Sequence, residues 1–240
     1  MLSNSDPLVS SRVVVHDFLD ESECVETVRR VNRLQNRWTR RSEFGDSFTL
    51  GAAAYLDAEE SRETYLAAAA QTNPTLSEAF SDLYGGLRGF LESLLAEPVT
   101  YDDCLAMPGF HIFAYDGSVL ADDNIGERAH FDMQFRQVVP GRAPEATLSF
   151  TLPLQQPTGG TGLAVWPLDY EEAVRRDAGS RNWAVQNPWT LVRYETGRMV
   201  LHDGLVLHAL VRSPSRTPKG LRVTLQGHGV RHDGRWTIYW

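Results

Sequence analysis

The stretch ATLSFTLPLQQPTGGTGLAVWP, Ala146 to Pro167, decides the fold. Two short apolar or alternating runs, ATLSFTLPL and GLAVWP, stand either side of a turn rich in Pro and Gly, which is the pattern of successive β-strands. The same texture extends in both directions. PGFHIFAY and AHFDMQF come before it, and TLVRY, GRMVL, GLVLHALV and GLRVTLQGHGV come after it. Eight short strands beyond Val99 with no helices between them point to an antiparallel sandwich or barrel. Two stretches break the rhythm, Asp116 to Ala129 and Pro167 to Asn187, and the second holds a candidate short helix, DYEEAVRRD. Long insertions in a compact β domain read as lids or binding loops.

Upstream the texture is mostly helical. RVVVHDFL (Arg12 to Leu19) reads as a strand, after which Asp20 and Glu23 form a capping-box start to a helix ending near Trp38. FTLGAAAYL (Phe48 to Leu56) is a second candidate strand, AEESRETYLAAAA (Ala58 to Ala70) reads as a helix, and Thr75 with Glu78 starts another that ends near Ala96. The expectation is an α+β chain with a mainly β core, in one domain spanning residues 1–240. A helical support region would occupy 1–98 and the β core 99–240, with the insertions near 116–129 and 167–187.

Composition narrows the function classes. With 42% hydrophobic and 22% charged residues the chain is ordinary for a soluble globular protein, and no apolar run approaches the roughly 20 residues of a bilayer-spanning helix. A membrane partner is not expected. Lys plus Arg number 23 against 31 Asp plus Glu, a net charge of −8 without a dense basic cluster, so nucleic acid is not an expected partner either. The two cysteines, Cys24 and Cys104, form no CxxC pair, and MLSNSDPLVSSRVVV has no signal-peptide pattern; both favour a reduced, cytoplasmic setting.

Chemistry concentrates in the β region. His130 and Asp132 stand two apart in AHFDMQF, so on a strand both side chains point to one face and can share a metal. His208, inside the apolar run GLVLHALV, is the candidate third ligand, with His202 its rival. Two histidines and one carboxylate leave about three positions open on an octahedral ion, an arrangement suited to Fe(II) and oxygen chemistry. Arg222 in KGLRVTLQGHG offers a guanidinium fork for the carboxylate of a co-substrate, and Arg212 and Arg216 are alternatives. Gln134 and Arg136 continue the His130 face, while Thr224 and Gln226 share the parity of Arg222. His111, Phe113 and Tyr115 would share a face of their own strand, and Trp166 flanks the second insertion. Gln134, Arg136, His111 and Trp166 are the substrate-contact candidates. Arg193 and Arg198 are further candidates for a substrate carboxylate. His228 and His232 have no partner at ligand spacing and receive no role.

These motifs, taken in order, resemble the Fe(II)- and 2-oxoglutarate-dependent oxygenases, in their prolyl-4-hydroxylase-like branch. RVVVHDFLDESEC resembles the branch's first strand and helix start, HIFAYDG followed by HFD its Y-x-x-G then H-x-D run, and ATLSFTLPLQQPTGGTGL its strand ending in a Gly-Gly turn. GRMVLHDGLVLHAL with PKGLRVTLQGHG resembles its distal histidine strand and the strand after it. The match is good over Pro108 to Gly229, loose over the first 30 residues and absent over the helices between Trp38 and Pro98. The resemblance implies a double-stranded β-helix (jelly roll, cupin-like) with N-terminal helices packed against it. It also implies Fe(II) held by His130, Asp132 and His208, 2-oxoglutarate as co-substrate held by Arg222 and Tyr115, and O2 as oxidant. Asp132 speaks for hydroxylation or a related desaturation or cyclisation, because members of the family that halogenate lack this carboxylate. The expected reaction is hydroxylation of an unactivated C–H in a small molecule, an amino acid or a natural-product intermediate. The alternatives are a peptidyl (prolyl-type) hydroxylase and a non-catalytic cupin-like protein that binds metal or a small ligand.

Overall fold

The computed structural model describes residues 12–41, 46–59, 61–117, 125–176, 179–212, 215 and 217–240. In chain order the strands are β1 Val13–Asp17, β2 Thr39–Arg41, β3 Ser47–Leu50, β4 Val99–Tyr101, β5 Gly109–Asp116 and β6 Ala146–Gln155, followed by β7 Gly162–Asp169, β8 Thr190–Arg193, β9 Arg198–His202, β10 Val206–Val211, β11 Lys219–His232 and β12 Arg235–Tyr239. The helices are α1 Glu21–Arg33, α2 Ala54–Asp57, α3 Arg62–Ala79, α4 Ser81–Leu95, α5 Phe135–Val138, α6 Tyr170–Arg175 and α7 Ser180–Gln186. A large sheet runs in the order β1-β9-β6-β11-β5-β3-β2, with β12 and β4 joined to β11, and a small one in the order β10-β7-β8. Among the described residues every pairing is antiparallel except β4 with β12. No helix among them is long and apolar enough to cross a membrane.

Strand alternation builds two unlike faces on the large sheet. Phe110 and Ile112, Leu148, Phe150 and Leu152, Met199 and Leu201, and Val223 and Leu225 point one way, into a core completed by Val28 and Val31 of α1 and Leu83, Leu87 and Leu91 of α4. The α4 leucines recur every four residues, so one helix stripe meets the sheet, and each buried leucine contributes about 1.5–3 kcal/mol. The residues between them point the other way. Ser47, Thr49, His111, Ser149, His202, Arg222 and Thr224 are all buried on that inner face. The small sheet covers part of it, where Leu163, Val165 and Val206 pack with Val13, Val200 and Tyr194. Burying so many polar groups is costly unless they find partners, which marks the inner face as the place to look for a site.

The N-terminal 98 residues do more than supply helices, because β1, β2 and β3 all join the large sheet. Asp20 caps α1 as its spacing implies: its side chain accepts the Glu23 N–H at 2.8 Å and the Glu23 carboxylate accepts the Asp20 N–H at 2.8 Å. Two expectations fail nearby. The strand from Phe48 stops at Leu50, where Gly51 takes φ 109°, and Ala54–Asp57 is helical. The helix expected to start at Thr75 is the continuation of α3, which runs through Pro74 and breaks at Phe80. Tertiary packing overrides the local signal there, since Leu76 and Phe80 are both fully buried in the core. The third failure touches the site. AHFDMQF is not a strand: His130 makes a single β-bridge to His208, and the chain then turns into α5.

Candidate metal centre and anion pocket

Backbone pairing brings the two histidines together. His130 N donates to His208 O at 2.9 Å and His208 N returns the bond to His130 O at 3.1 Å, so the rings lie side by side with centroids 4.5 Å apart. Asp132 is fixed separately, its N–H donating to Gly204 O at 2.8 Å. Gly204 has φ +74°, and a Cβ there would come within 2.9 Å of Ser149 Oγ and 3.4 Å of Asp132 Cβ, so the turn requires glycine. One ligand atom from each of His130, Asp132 and His208 lies within 4.8 Å of the others. His130 Nε2 is 3.8 Å from Asp132 Oδ1, and His208 Nε2 is 3.4 Å from Asp132 Oδ2.

Hydrogen bonds set the tautomers. His130 Nδ1 faces the Arg128 carbonyl at 2.9 Å and His208 Nδ1 faces the Val206 carbonyl at 2.8 Å. A carbonyl only accepts, so each Nδ1 carries a proton and each Nε2 is the atom turned to the Asp132 side, where a metal would bind. His202 is arranged oppositely. Its Nδ1 accepts the Gly204 N–H at 3.1 Å, which puts its proton on Nε2 and leaves no lone pair for a metal. Burial, reinforced by His208, lowers its pKa to about 3. Desolvation would raise the pKa of Asp132, but His208, His228 and His130 outweigh it and hold the carboxylate well below its usual range. A buried ionised carboxylate facing two imidazole Nε2 atoms could hold a cation. Half of the His130 ring surface is exposed, which leaves one side of the cluster open.

Arg222 lies further along the same inner face. It is 1% exposed, and its Nε and Nη1 have no hydrogen-bond partner among the described residues. Burial lowers its pKa, and the Phe113 and Tyr194 rings hold the guanidinium at 5.2 and 5.8 Å. Unpaired donors on a buried cation call for an anion. Tyr194 links the two places, because the charges of both Arg222 and Asp132 act on its hydroxyl. Tyr115 is half-buried across from Gly220, at the outer end of the Arg222 row. Arg212 is half-buried just past the end of β10, and Arg216 lies outside the described residues.

The remaining candidates separate. Gln134 donates to Asp132 Oδ1 at 3.2 Å, although from the turn into α5 and not from a strand face. Arg136 is exposed and packs on the Tyr170 ring at 5.0 Å, with Nη1 bonded to Tyr170 OH, so it does not continue the His130 face. Trp166 has the opposite parity to Val165, the partner of His208, and lies in the cluster behind the small sheet. There its Nε1 donates to the Ala184 and Asn187 carbonyls and anchors α7, so it does not line the metal face. His111 is buried on the Arg222 face. Arg193 is exposed, and Arg198 pairs with Asp17 and Glu195. Sequence reading passed over His228, whose Nδ1 sits 3.0 Å from Ser149 Oγ and 3.9 Å from Asp132 Oδ2. The signal was present, since His228 continues the parity of Arg222, Thr224 and Gln226.

No protein-family model matches the sequence, and no curated protein sequence matches it. Solved structures do. An N-substituted L-amino acid dioxygenase from Burkholderia ambifaria AMMD, in complex with alpha-ketoglutarate (2-oxoglutarate), is similar over 97% of this chain and 88% of that one, at 17% identity and a TM-score of 0.55. The non-heme alpha ketoglutarate dependent carbocyclase SnoK of nogalamycin biosynthesis is similar over 100% of this chain and 97% of that one, at 12% identity and a TM-score of 0.51. A Pseudomonas putida prolyl-4-hydroxylase is also similar, at 15% identity over 93% of this chain and 95% of that one, with a TM-score of 0.43. At these identities the similarity concerns the fold: the chain shares the fold of 2-oxoglutarate-dependent oxygenases.

Proposed function

We propose that the protein is an Fe(II)- and 2-oxoglutarate-dependent dioxygenase that hydroxylates an unactivated C–H of a small molecule, an amino acid or a natural-product intermediate. Its scaffold on this reading is a single double-stranded β-helix domain working in the cytoplasm, where its two free cysteines stay reduced. One combination carries the reading. Two histidines with fixed tautomers and an ionised aspartate share an interior with a buried arginine that has two unpaired donors. A metal binder would have no use for Arg222. The fold shared with an N-substituted L-amino acid dioxygenase and with an alpha ketoglutarate dependent carbocyclase of nogalamycin biosynthesis supports the substrate class.

The chain's residues divide the work. His130, Asp132 and His208 would hold Fe(II), which together with 2-oxoglutarate and O2 supplies the oxidising chemistry, with succinate and carbon dioxide as co-products. Arg222 would orient the far carboxylate of 2-oxoglutarate, with Tyr115 closing the outer end of that row. Arg128 and Val206, through their carbonyls, keep the imidazole protons on Nδ1, and Gly204 holds Asp132 in position. The apolar contacts of Leu163, Val165, Val200 and Val206 exclude water behind the site.

The test is succinate release by Fe(II)-loaded protein given 2-oxoglutarate and O2, first alone and then with a panel of amino acids and natural-product intermediates. Succinate that depends on Fe(II) and on Asp132, and that rises with one panel member, is the expected result. Protein that binds metal but neither binds nor consumes 2-oxoglutarate contradicts the reading and makes the protein a cupin-like binder.

A further inference from the structure

Beside Arg222 the inner face holds more unpaired groups than one guanidinium. His111 Nδ1, Thr224 Oγ1 and Trp240 Nε1 are buried and have no hydrogen-bond partner among the described residues, like Nε and Nη1 of Arg222. The groups are contiguous. His111 stands directly across from Thr224, and Phe113 across from Arg222, on neighbouring strands. The His111 ring stacks on Phe113 at 5.3 Å and meets Trp240 edge-on at 5.4 Å. Arg222, Thr224 and Trp240 can each donate, and none of them is paired with His111.

Tyr55 of α2 is the partner of His111 on its other ring nitrogen. Its hydroxyl is hydrogen-bonded to His111 Nε2, and the two rings stack at 5.8 Å. Either partner can be the donor in this bond, and with the phenol donating, the one proton of a neutral imidazole stands on Nδ1. The ring is neutral, because burial first, and then Arg222 and Arg41, lower its pKa to about 3. The α2 segment is itself braced. Arg41 makes two bonds to Asp57, at 2.7 and 2.8 Å, and Asp57 also accepts the Ala53 N–H at 2.7 Å.

We infer that the Tyr55 phenol donates to His111 Nε2 and that His111 is a specificity-determining residue of the co-substrate pocket, its Nδ1–H joining Arg222 on the far carboxylate of a dicarboxylic 2-oxo acid. This rests on the function proposed above and adds a neutral donor to the charged one. Arg222 alone would attract any anion, whereas a second donor at a fixed angle selects a carboxylate at the right depth. A 2-oxo acid without the far carboxylate would gain nothing from His111.

The experiment titrates Fe(II)-loaded protein, without oxygen, with 2-oxoglutarate and in parallel with pyruvate, which has the chelating end but no far carboxylate. Wild type is compared with His111→Phe, Tyr55→Phe and the double variant. Losing one hydrogen bond to a charged group weakens binding about ten- to a hundredfold, so His111→Phe should raise the 2-oxoglutarate Kd by that factor and leave the pyruvate Kd unchanged. Tyr55→Phe, which removes a single oxygen, should raise the 2-oxoglutarate Kd severalfold, and in the His111→Phe background it should add nothing. Unchanged 2-oxoglutarate binding in both single variants overturns the inference, and so does equal weakening of both ligands, which would mark a structural role. A wild type that binds Fe(II) but not 2-oxoglutarate overturns the functional reading and the inference together.

Discussion

Replacing Arg222 with methionine should make the ligand-free protein no less stable while removing its affinity for 2-oxoglutarate. The guanidinium is 1% exposed, with two of its nitrogens unpaired among the described residues, so the ligand-free fold bears the cost of a buried cation, several kcal/mol after relaxation. Against that stand two ring contacts, at 5.2 and 5.8 Å, together contributing about 1–3 kcal/mol. Methionine fills similar volume without charge, and the balance is a gain of about 0–3 kcal/mol, or roughly 0–10 °C in Tm for a chain of this size. The ligand-bound state loses two charge-assisted bonds of about 1.5–3 kcal/mol each, so the Kd for 2-oxoglutarate should rise about 10²- to 10⁴-fold. Thermal melts of metal-loaded wild type and variant, with and without 2-oxoglutarate, measure both quantities. A variant that is destabilised by more than about 2 kcal/mol and still gains Tm with 2-oxoglutarate would refute the reasoning, because Arg222 would then be a structural residue.

Gly204→Ala should cost about 1–3 kcal/mol in urea unfolding and weaken metal affinity at least tenfold, since the added Cβ at φ +74° displaces Ser149 and Asp132; calorimetric titration with Fe(II) without oxygen or with Zn(II) measures the affinity. The folded pKa of His111, about 3, lies below its unfolded value of 6.5, so the unfolded chain binds the proton first and stability falls as pH drops below 6.5. From pH 7 to pH 5 this group costs about 2 kcal/mol, and urea melts of His111→Phe should show a shallower fall than wild type; equal slopes would contradict the buried, neutral assignment. Trp166→Phe removes the bonds that tie Ala184 and Asn187 to the small sheet, so amide exchange over α7 should quicken at least tenfold while α4 is unaffected.

The candidate metal-ligating residues are legible in the sequence because His130 and Asp132 are close neighbours in the chain and His208 is a lone histidine in an apolar run. Spacing accounts for only part of how the first pair comes together. Alternation in AHFDMQF imitates a strand, whereas the backbone exchange with His208 and the Gly204 carbonyl do the positioning. Arg222 was legible by strand parity, as was its buried row, although His228 at the end of that row was passed over. Ser149 meets His228 across 79 residues, and Tyr55 meets His111 across 56, through registers that no local pattern announces. The α3 helix misled for a related reason. Thr75 and Glu78 are a valid start signal, but burying Leu76 and Phe80 decides where that helix ends. The strands β2 and β4, three residues each, are too short for periodicity to speak.

The central claim is that one cluster holds Fe(II) and a neighbouring guanidinium holds the co-substrate that chelates it. The most direct test adds Fe(II) and then 2-oxoglutarate to metal-free protein without oxygen and follows the visible charge-transfer absorption of the chelate in wild type, Asp132→Ala and Arg222→Met. The account predicts a band in wild type, none in Asp132→Ala, and one in Arg222→Met that needs at least a hundredfold more 2-oxoglutarate. A folded wild type that takes up Fe(II) and shows no band at millimolar 2-oxoglutarate would contradict it.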